Sequence, residues 1–347
     1  MKNKFYLLAV AITFSIAFTA CDDPSKDPGN YNNGIFVINE GAFGSSNGEV
    51  SFIKSDNSVV NSQYGANNNS LILGDVFQSM CIANGHAYLV INNSNKVEVV
   101  DVKNLQHTAT INGFQLPKYM VTYNGKGYIT EYVSFSSNGR VMVIDLSSNT
   151  IVDSIPVGNQ PENLMVVGDK ILVANGSDTT LHLINTTNHA VTNIGDIDYP
   201  KYITQTNDGN IWVLYTGKPG WSGTNTDGGL LVLNSTATAV VKNVVIGSTP
   251  TQNPSQLTTD GNNLYYEYQG NVYKMDKAAT TAPSSAFITN PAMYLYGMNY
   301  YAPNSTLLVA DAKNFVLSGV VKRYNASNGS LLDTLNVGVG PNGFVFN

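Results

Sequence analysis

Alternation of apolar and polar residues runs through the chain from residue 34 to its end, and it recurs in three kinds of segment. One is opened by Gly in most copies: "GIFVINE" from residue 34, "GHAYLVI" from 85, "GKGYITEY" from 125, "GDKILVAN" from 168, "GNIWVLY" from 209, "GNNLYYEY" from 261 and "NSTLLVAD" from 304. β-Branched and aromatic residues at period two predict a strand in each. The second kind is a hairpin, two alternating runs around a polar turn, as in "KVEVVDVKNLQHTATI", "RVMVIDLSSNTIVDSI" and "VVKRYNASNGSLLDTLNV". Its first run ends in Asp or Asn: Asp101, Asp145, Asn185, Asn234, Asp276 and Asn325. A seventh copy, residues 49–64, carries Lys54 there.

The third kind is a loop ending in proline, followed by a short apolar run: "GFQLPKYMVTY", "VGNQPENLMVV", "IDYPKYITQT", "TQNPSQLTTD" and the last residues, "GVGPNGFVFN". The prolines are Pro117, Pro161, Pro200, Pro254, Pro291 and Pro341, spaced by 44, 39, 54, 37 and 50 residues. Phe77 stands 40 residues before Pro117, where a seventh would fall. From the Asp or Asn of each hairpin to the next proline the distance is 16, 16, 15, 20, 15 and 16 residues. Turns placed at random would not keep that step. The three kinds therefore form one repeating unit of four strands, and a period of roughly 40–50 residues is that of a propeller blade.

The expected fold is all-β: a seven-bladed β-propeller of four-stranded blades over residues 34–347, a blade number within the known range. No helix-period segment competes with the strands after the N-terminal apolar run. The proline-led strand is the innermost of each blade. Pro fixes φ and donates no hydrogen bond, which suits the loop dropping from one blade's outer strand to the next blade's centre. The first unit begins at a second strand, Gly34, and the chain ends on a first strand, residues 341–347. The C-terminal strand is thus expected to complete the first blade and close the ring, covering edges that would otherwise invite aggregation.

Composition changes this picture mainly by exclusion. Only 12% of residues are charged and the net charge is −6, with no basic stripe, which excludes a nucleic-acid footprint. At the N-terminus Lys2 and Lys4 precede the apolar run "FYLLAVAITFSIAFTA", the arrangement of a secretory signal and slightly short for a membrane span. Cys21 directly after "FTA" resembles a bacterial lipoprotein signal. Residues 1–20 are then a lipoprotein signal peptide and Cys21 the lipidated N-terminus, with an ordinary cleavable signal or a membrane anchor as the alternatives. Residues 21–33, acidic and rich in Pro, Gly and Asn, read as a flexible tether. Acidic residues after the Cys resemble the surface-export signal of Bacteroidetes-type lipoproteins. That implies an exported lipoprotein on the outer membrane, facing the cell exterior and touching the membrane through its lipid anchor alone. The other cysteine, Cys81 in "FQSMCIA", reads as an inert buried thiol and not a nucleophile.

The units resemble seven-bladed propellers of the YncE-like or YVTN-repeat type, most closely in "RVMVIDLSSNTIVDSIPVGNQPENLMVV". The start, "GIFVINEGAFGSSNGEVSFI", is similar to that of surface lipoprotein propellers of Bacteroidetes-type bacteria. Relatives of that kind capture corrinoids, vitamin B12 among them, and pass them to a TonB-dependent outer-membrane transporter. The resemblance implies the fold and makes a corrinoid or other small ligand, and such a transporter, the expected partners. Fold alone does not set function.

No catalytic or metal-binding motif stands out, and no cofactor is expected. His86, His107, His182 and His189 fall on strands or hairpin turns without metal-ligand spacing. "NTDGG" (225–229) echoes a calcium loop but lacks its alternating acids and distal Glu. Aromatics outside the strand pattern are more telling. They gather on one face, in loops joining second to third strands and loops leading into innermost strands: Phe43, Tyr132, Phe135, Trp221 in the long 216–229 insertion, and Phe315. The innermost strands add Phe77, Gln78, Lys118, Tyr119, Glu162, Asn163, Lys201, Tyr202, Gln256 and Asn342 to this candidate ligand-binding mouth. Loops on a rigid scaffold carry function, and such rings suit sugars, planar macrocycles or peptides. Three readings follow: a ligand-capture lipoprotein that is not an enzyme, a protein- or glycan-binding scaffold, and a propeller lactonase or lyase.

Overall fold

The computed structural model describes residues 31–247 and 253–347. The expected signal peptide, Cys21 and the tether up to residue 30 lie outside them. Seven antiparallel sheets succeed one another along the chain, and their innermost strands neighbour each other in a closed ring. The second blade is typical: Phe77–Ala83, His86–Ile91, Lys96–Asp101 and His107–Asn112 pair in that order from the axis outward. Asn84-Gly85 and Asn124-Gly125, both residues of each pair at positive φ, make the tight turns from first to second strand in blades two and three. The ring closes as the repeat predicts. Pro341–Phe346 pairs with Ile35–Asn39, placing Phe344 opposite Val37.

Three details depart from the regular repeat. The outer strand of the first blade is only Val59–Val60, and one helical turn, Gln63–Asn67, follows it. The amides of Tyr64 and Gly65 in that turn donate to the Glu49 carboxylate. In the sixth blade the run after Asp276 lacks alternation and contains Pro283, so three strands form and the fourth position is held by a bridge from Ile288 to Val272. Tyr31, read as tether, is buried against Phe36 and Phe52, and its hydroxyl donates to Gln63.

Packing explains the prolines that lead innermost strands beyond proline's fixed φ. A Cβ on Gly139 would lie 2.3 Å from Pro161 Cδ, one on Gly319 2.4 Å from Pro341 Cδ, and one on Gly228 2.5 Å from Pro254 Cγ. Each proline ring lies flat on a glycine of the preceding blade's third strand. Three residues before Pro161 and Pro341 a glycine is equally crowded: Gly158 lies against the Asp178 and Asn175 side chains and Gly338 against Asn39. The junction is too tight for a side chain. Gly139→Ala is therefore expected to destabilise by about 1–3 kcal/mol through overpacking. Its φ is not positive, so the effect is steric, and urea unfolding of the variant beside wild type reads it.

The core lies between blades as seven apolar clusters, with side chains of facing sheets interleaved. Trp212, Tyr128 and Tyr265 are wholly buried there. Trp212 is a core strand residue, as its place in "NIWVLY" suggests. Cys81 is half-buried, and burial pushes its thiol up to about 11, which keeps it protonated and unreactive.

Candidate functional site

Every innermost strand contains the same irregularity near its start. Between Pro117 and Met120 the strand gains one residue on its partner: Pro117 faces Glu131, but Met120 faces Ile129. Equivalent shifts fall after Phe77, Pro161, Pro200, Ser255, Leu295 and Pro341. These are β-bulges, and a bulge breaks the period-two alternation. Consecutive side chains therefore face the axis together: Gln78 with Ser79, Lys118 with Tyr119, Glu162 with Asn163, Lys201 with Tyr202. They surround a polar well of about 420 Å³ at the centre of the ring, completed by Gln256, Tyr296 and Asn342.

The well has an ionic side. Glu162, almost fully buried, lies 3.5 Å from Lys118 Nζ and 3.8 Å from Lys201 Nζ. The hydroxyl of buried Tyr132 donates to its Oε1, and Lys118 Nζ stands 5.0 Å above the Tyr132 ring. Burial alone would raise the Glu162 carboxyl, but Lys118 and Lys201 outweigh it and hold the group below the usual range. Glu162 in turn raises Lys201. Burial keeps Tyr119, Tyr132 and Tyr202 firmly protonated, so their phenols remain donors. Gln78 Nε2 reaches Tyr119 at 3.4 Å, and Gln256 Nε2 reaches Tyr202 at 3.3 Å.

Across the ring stands a second acid that the repeat pattern does not single out. Glu40 accepts hydrogen bonds from Asn342 Nδ2 at 3.2 Å and from Tyr296, and burial raises its carboxyl. Asn342 Oδ1 is buried without a partner among the described residues. Tyr296 escapes the pattern too, because Pro291 does not open its strand. Leu295 does, and Pro291 four residues earlier accepts Lys322 Nζ on its carbonyl. Counted from Leu295, "LYGM" matches "PKYM", and Tyr296 falls where Lys118 stands.

Not every expected mouth residue reaches the well. Phe77 is wholly buried in the first core cluster. It occupies the proline position, whose side chain packs on the preceding blade: a Cβ on Gly48 would lie 3.0 Å from Phe77 Cβ. Tyr132 acts from behind Glu162. Phe43, Phe135 and Trp221 are 81%, 69% and 85% exposed on the rim. Phe135 meets Tyr132 edge-on at 5.9 Å. Half-buried Phe315 packs T-shaped on Tyr294 at 4.8 Å and on Tyr296 at 4.9 Å, joining the rim to the well. Trp221, in the short 3₁₀ turn Gly220–Ser222, walls a second groove of about 320 Å³ that shares Lys201 and Tyr202 with the well. None of the four histidines lines either cavity. Among the described residues no group of three or more His, Cys, Asp or Glu is placed to hold a metal ion.

A closed ring of seven blades with a polar axial well under an aromatic rim defines a β-propeller with a candidate site at this mouth. The chain belongs to the family described as Domain of unknown function (DUF5074), which matches residues 33–347. No curated protein matches its sequence. Among solved structures it is similar to a quinonprotein alcohol dehydrogenase-like protein from Bacteroides thetaiotaomicron, with 14% identity, 91% of this chain and 79% of that one covered, and a TM-score of 0.69. It is also similar to the periplasmic gluconolactonase PpgL of Pseudomonas aeruginosa, with 11% identity, 90% and 99% covered, and a TM-score of 0.68. Hydrazine synthase of Kuenenia stuttgartiensis aligns with 13% identity over 88% and 97%, at a TM-score of 0.61. Likeness at identities this low shows the propeller fold alone, and the varied names of these neighbours fit a fold that does not set function.

Proposed function

We propose that the protein is a cell-surface lipoprotein that captures a ligand at this mouth, a corrinoid in the first instance, and passes it to a TonB-dependent transporter without turning it over. The observation that carries the reading is the axial well. The bulges of the second to fifth blades turn paired side chains to one spot, those of the sixth, seventh and first add Gln256, Tyr296 and Asn342, and a merely structural axis has no need of two lysines and three phenols there. A macrocycle is too broad for the well. It would rest on Trp221, Phe43, Phe135 and Phe315, with its polar substituents directed at the amides and lysines below. Rigid blades pre-order the contacts, so less entropy is lost on binding. A lipid tether through Cys21 would hold the protein beside its transporter and raise the effective concentration. The groove beside Trp221 favours one other occupant, a glycan stacked on the indole.

Calorimetric titration with cyanocobalamin and with a cobinamide tests the reading. Saturable nanomolar binding is expected, and absence of heat with either, from folded protein, would discard the corrinoid. Trp221 is 85% exposed, so Trp221→Ala is expected to leave the melting temperature within a few degrees while weakening the ligand about tenfold or more. An equal loss of both would make the indole structural.

A further inference from the structure

We infer that the ionic side of the well is a carboxylate site: Lys118 and Lys201 take the carboxylate of a small acid whose apolar body lies against Tyr296. The inference rests on the ligand-binding reading above but names a chemistry of its own. Two ammonium groups, with six N–H donors between them, share the single carboxylate of Glu162. Their separations of 3.5 and 3.8 Å exceed the roughly 2.7–2.9 Å of a charge-assisted hydrogen bond, so donors remain for another oxyanion. Glu162 is itself engaged by the Tyr132 hydroxyl from behind, which holds it back from the axis.

The opposite side of the well completes the fit. Glu40, next to the well and not in its lining, is taken up by Asn342 and Tyr296 on the first and seventh blades and also attracts Lys118 across the ring. An anion is therefore drawn to the lysine side and repelled from the other. The Tyr296 ring, in edge-to-face contact with Phe315 at 4.9 Å, offers an apolar wall to the hydrocarbon part of the acid. A volume of about 420 Å³ lies in the range of small-molecule pockets, roughly 300–1,000 Å³, and admits a phenyl ring with a short chain.

The test is calorimetric titration of the protein with 4-phenylbutyrate, with 4-phenylbutylamine as its cationic counterpart and with inorganic phosphate. Saturable binding of the acid is expected, with the amine and phosphate each about tenfold weaker or more, the first for its charge and the second for want of an apolar body. Lys118→Met and Lys201→Met should each weaken the acid about tenfold. Glu162→Gln should tighten it, because a competing carboxylate is gone. If Lys118→Met does not fold, Lys201, 39% exposed, supplies the readout alone. No saturable heat with 4-phenylbutyrate, equal affinity for the amine, tighter binding of phosphate, or indifference to lysine replacement would each overturn the site. Cyanocobalamin titrated alongside separates the two readings. Acid binding without corrinoid binding sinks only the corrinoid, and the reverse sinks only this site.

Discussion

Removal of residues 341–347 is expected to abolish cooperative folding, not to trim a tail. Pro341–Phe346 is the innermost strand of the first blade, paired along Ile35–Asn39. Beyond it, Asn347 exchanges backbone hydrogen bonds with Gly34, and its side chain donates to the Tyr31 carbonyl. Phe344 is buried with Val37, Leu308 and Val321, between the first blade and the seventh. Truncating such a phenylalanine alone costs about 3–5 kcal/mol. Deletion adds the lost ladder and leaves the edge of Ile35–Asn39 open to aggregation. The sum approaches the whole stability of a typical domain, about 5–15 kcal/mol. Thermal melting should show either no folded state or a midpoint lower by more than about 10 °C. Phe344→Ala, with the strand kept, should fall between deletion and wild type. An unchanged midpoint in the deletion would mean that the ring is not held shut by this strand.

Glu162→Gln should be the most damaging single change at the mouth, about 2–4 kcal/mol at neutral pH. Removing one partner of a buried ion pair leaves the other charge unpaired, and here two lysines lose their counter-charge. Lys201 is 39% exposed and screened by solvent, which places the effect below the buried-pair limit. The pH dependence follows from the direction of the shift. Glu162 is held below its ordinary 4.5, so its contribution is complete above that value and is lost as pH falls through the lowered one. Glu40, Glu49, Glu131 and Glu267 are shifted upward, in each case by burial first. They favour the fold below their raised values and lose that as pH rises. Wild type alone would therefore mix the two signs. Urea unfolding of wild type against Glu162→Gln isolates the ion pair: the gap should be full at pH 7 and close as pH falls through the lowered Glu162 value. A gap that persists at low pH would show that Glu162 contributes by packing and hydrogen bonding.

The fold is legible because a propeller repeats itself in sequence. Alternation marks the strands, the hairpin Asp or Asn keeps its distance to the next proline, and the C-terminal "PNGFVFN" supplies the strand missing at the start. The repeat misleads where a landmark drifts. Pro291 lies four residues ahead of Leu295, which hides Tyr296, and "NVYKMDKAATTAPSSAFI" has the length of a hairpin without the alternation of one. Phe77 belongs to the mouth by its position in the repeat. That position faces the neighbouring blade instead, and only the contact with Gly48 reveals it.

The sequence by itself determined the number of blades, the order of their strands and the closure of the ring, since each follows from local periodicity and the count of units. Tertiary structure decided the site. The entries to the innermost strands put Lys118 with Tyr119 and Glu162 with Asn163 at the mouth, but strand periodicity assigns successive residues to opposite faces, so pattern alone did not show which of each pair turns to the axis. The bulges bring them there, and a bulge is a property of register between two strands, which no single strand encodes. The meeting of Lys118, Glu162 and Lys201 is likewise a product of ring closure: three residues on three blades become neighbours only when the innermost strands stand side by side around one axis.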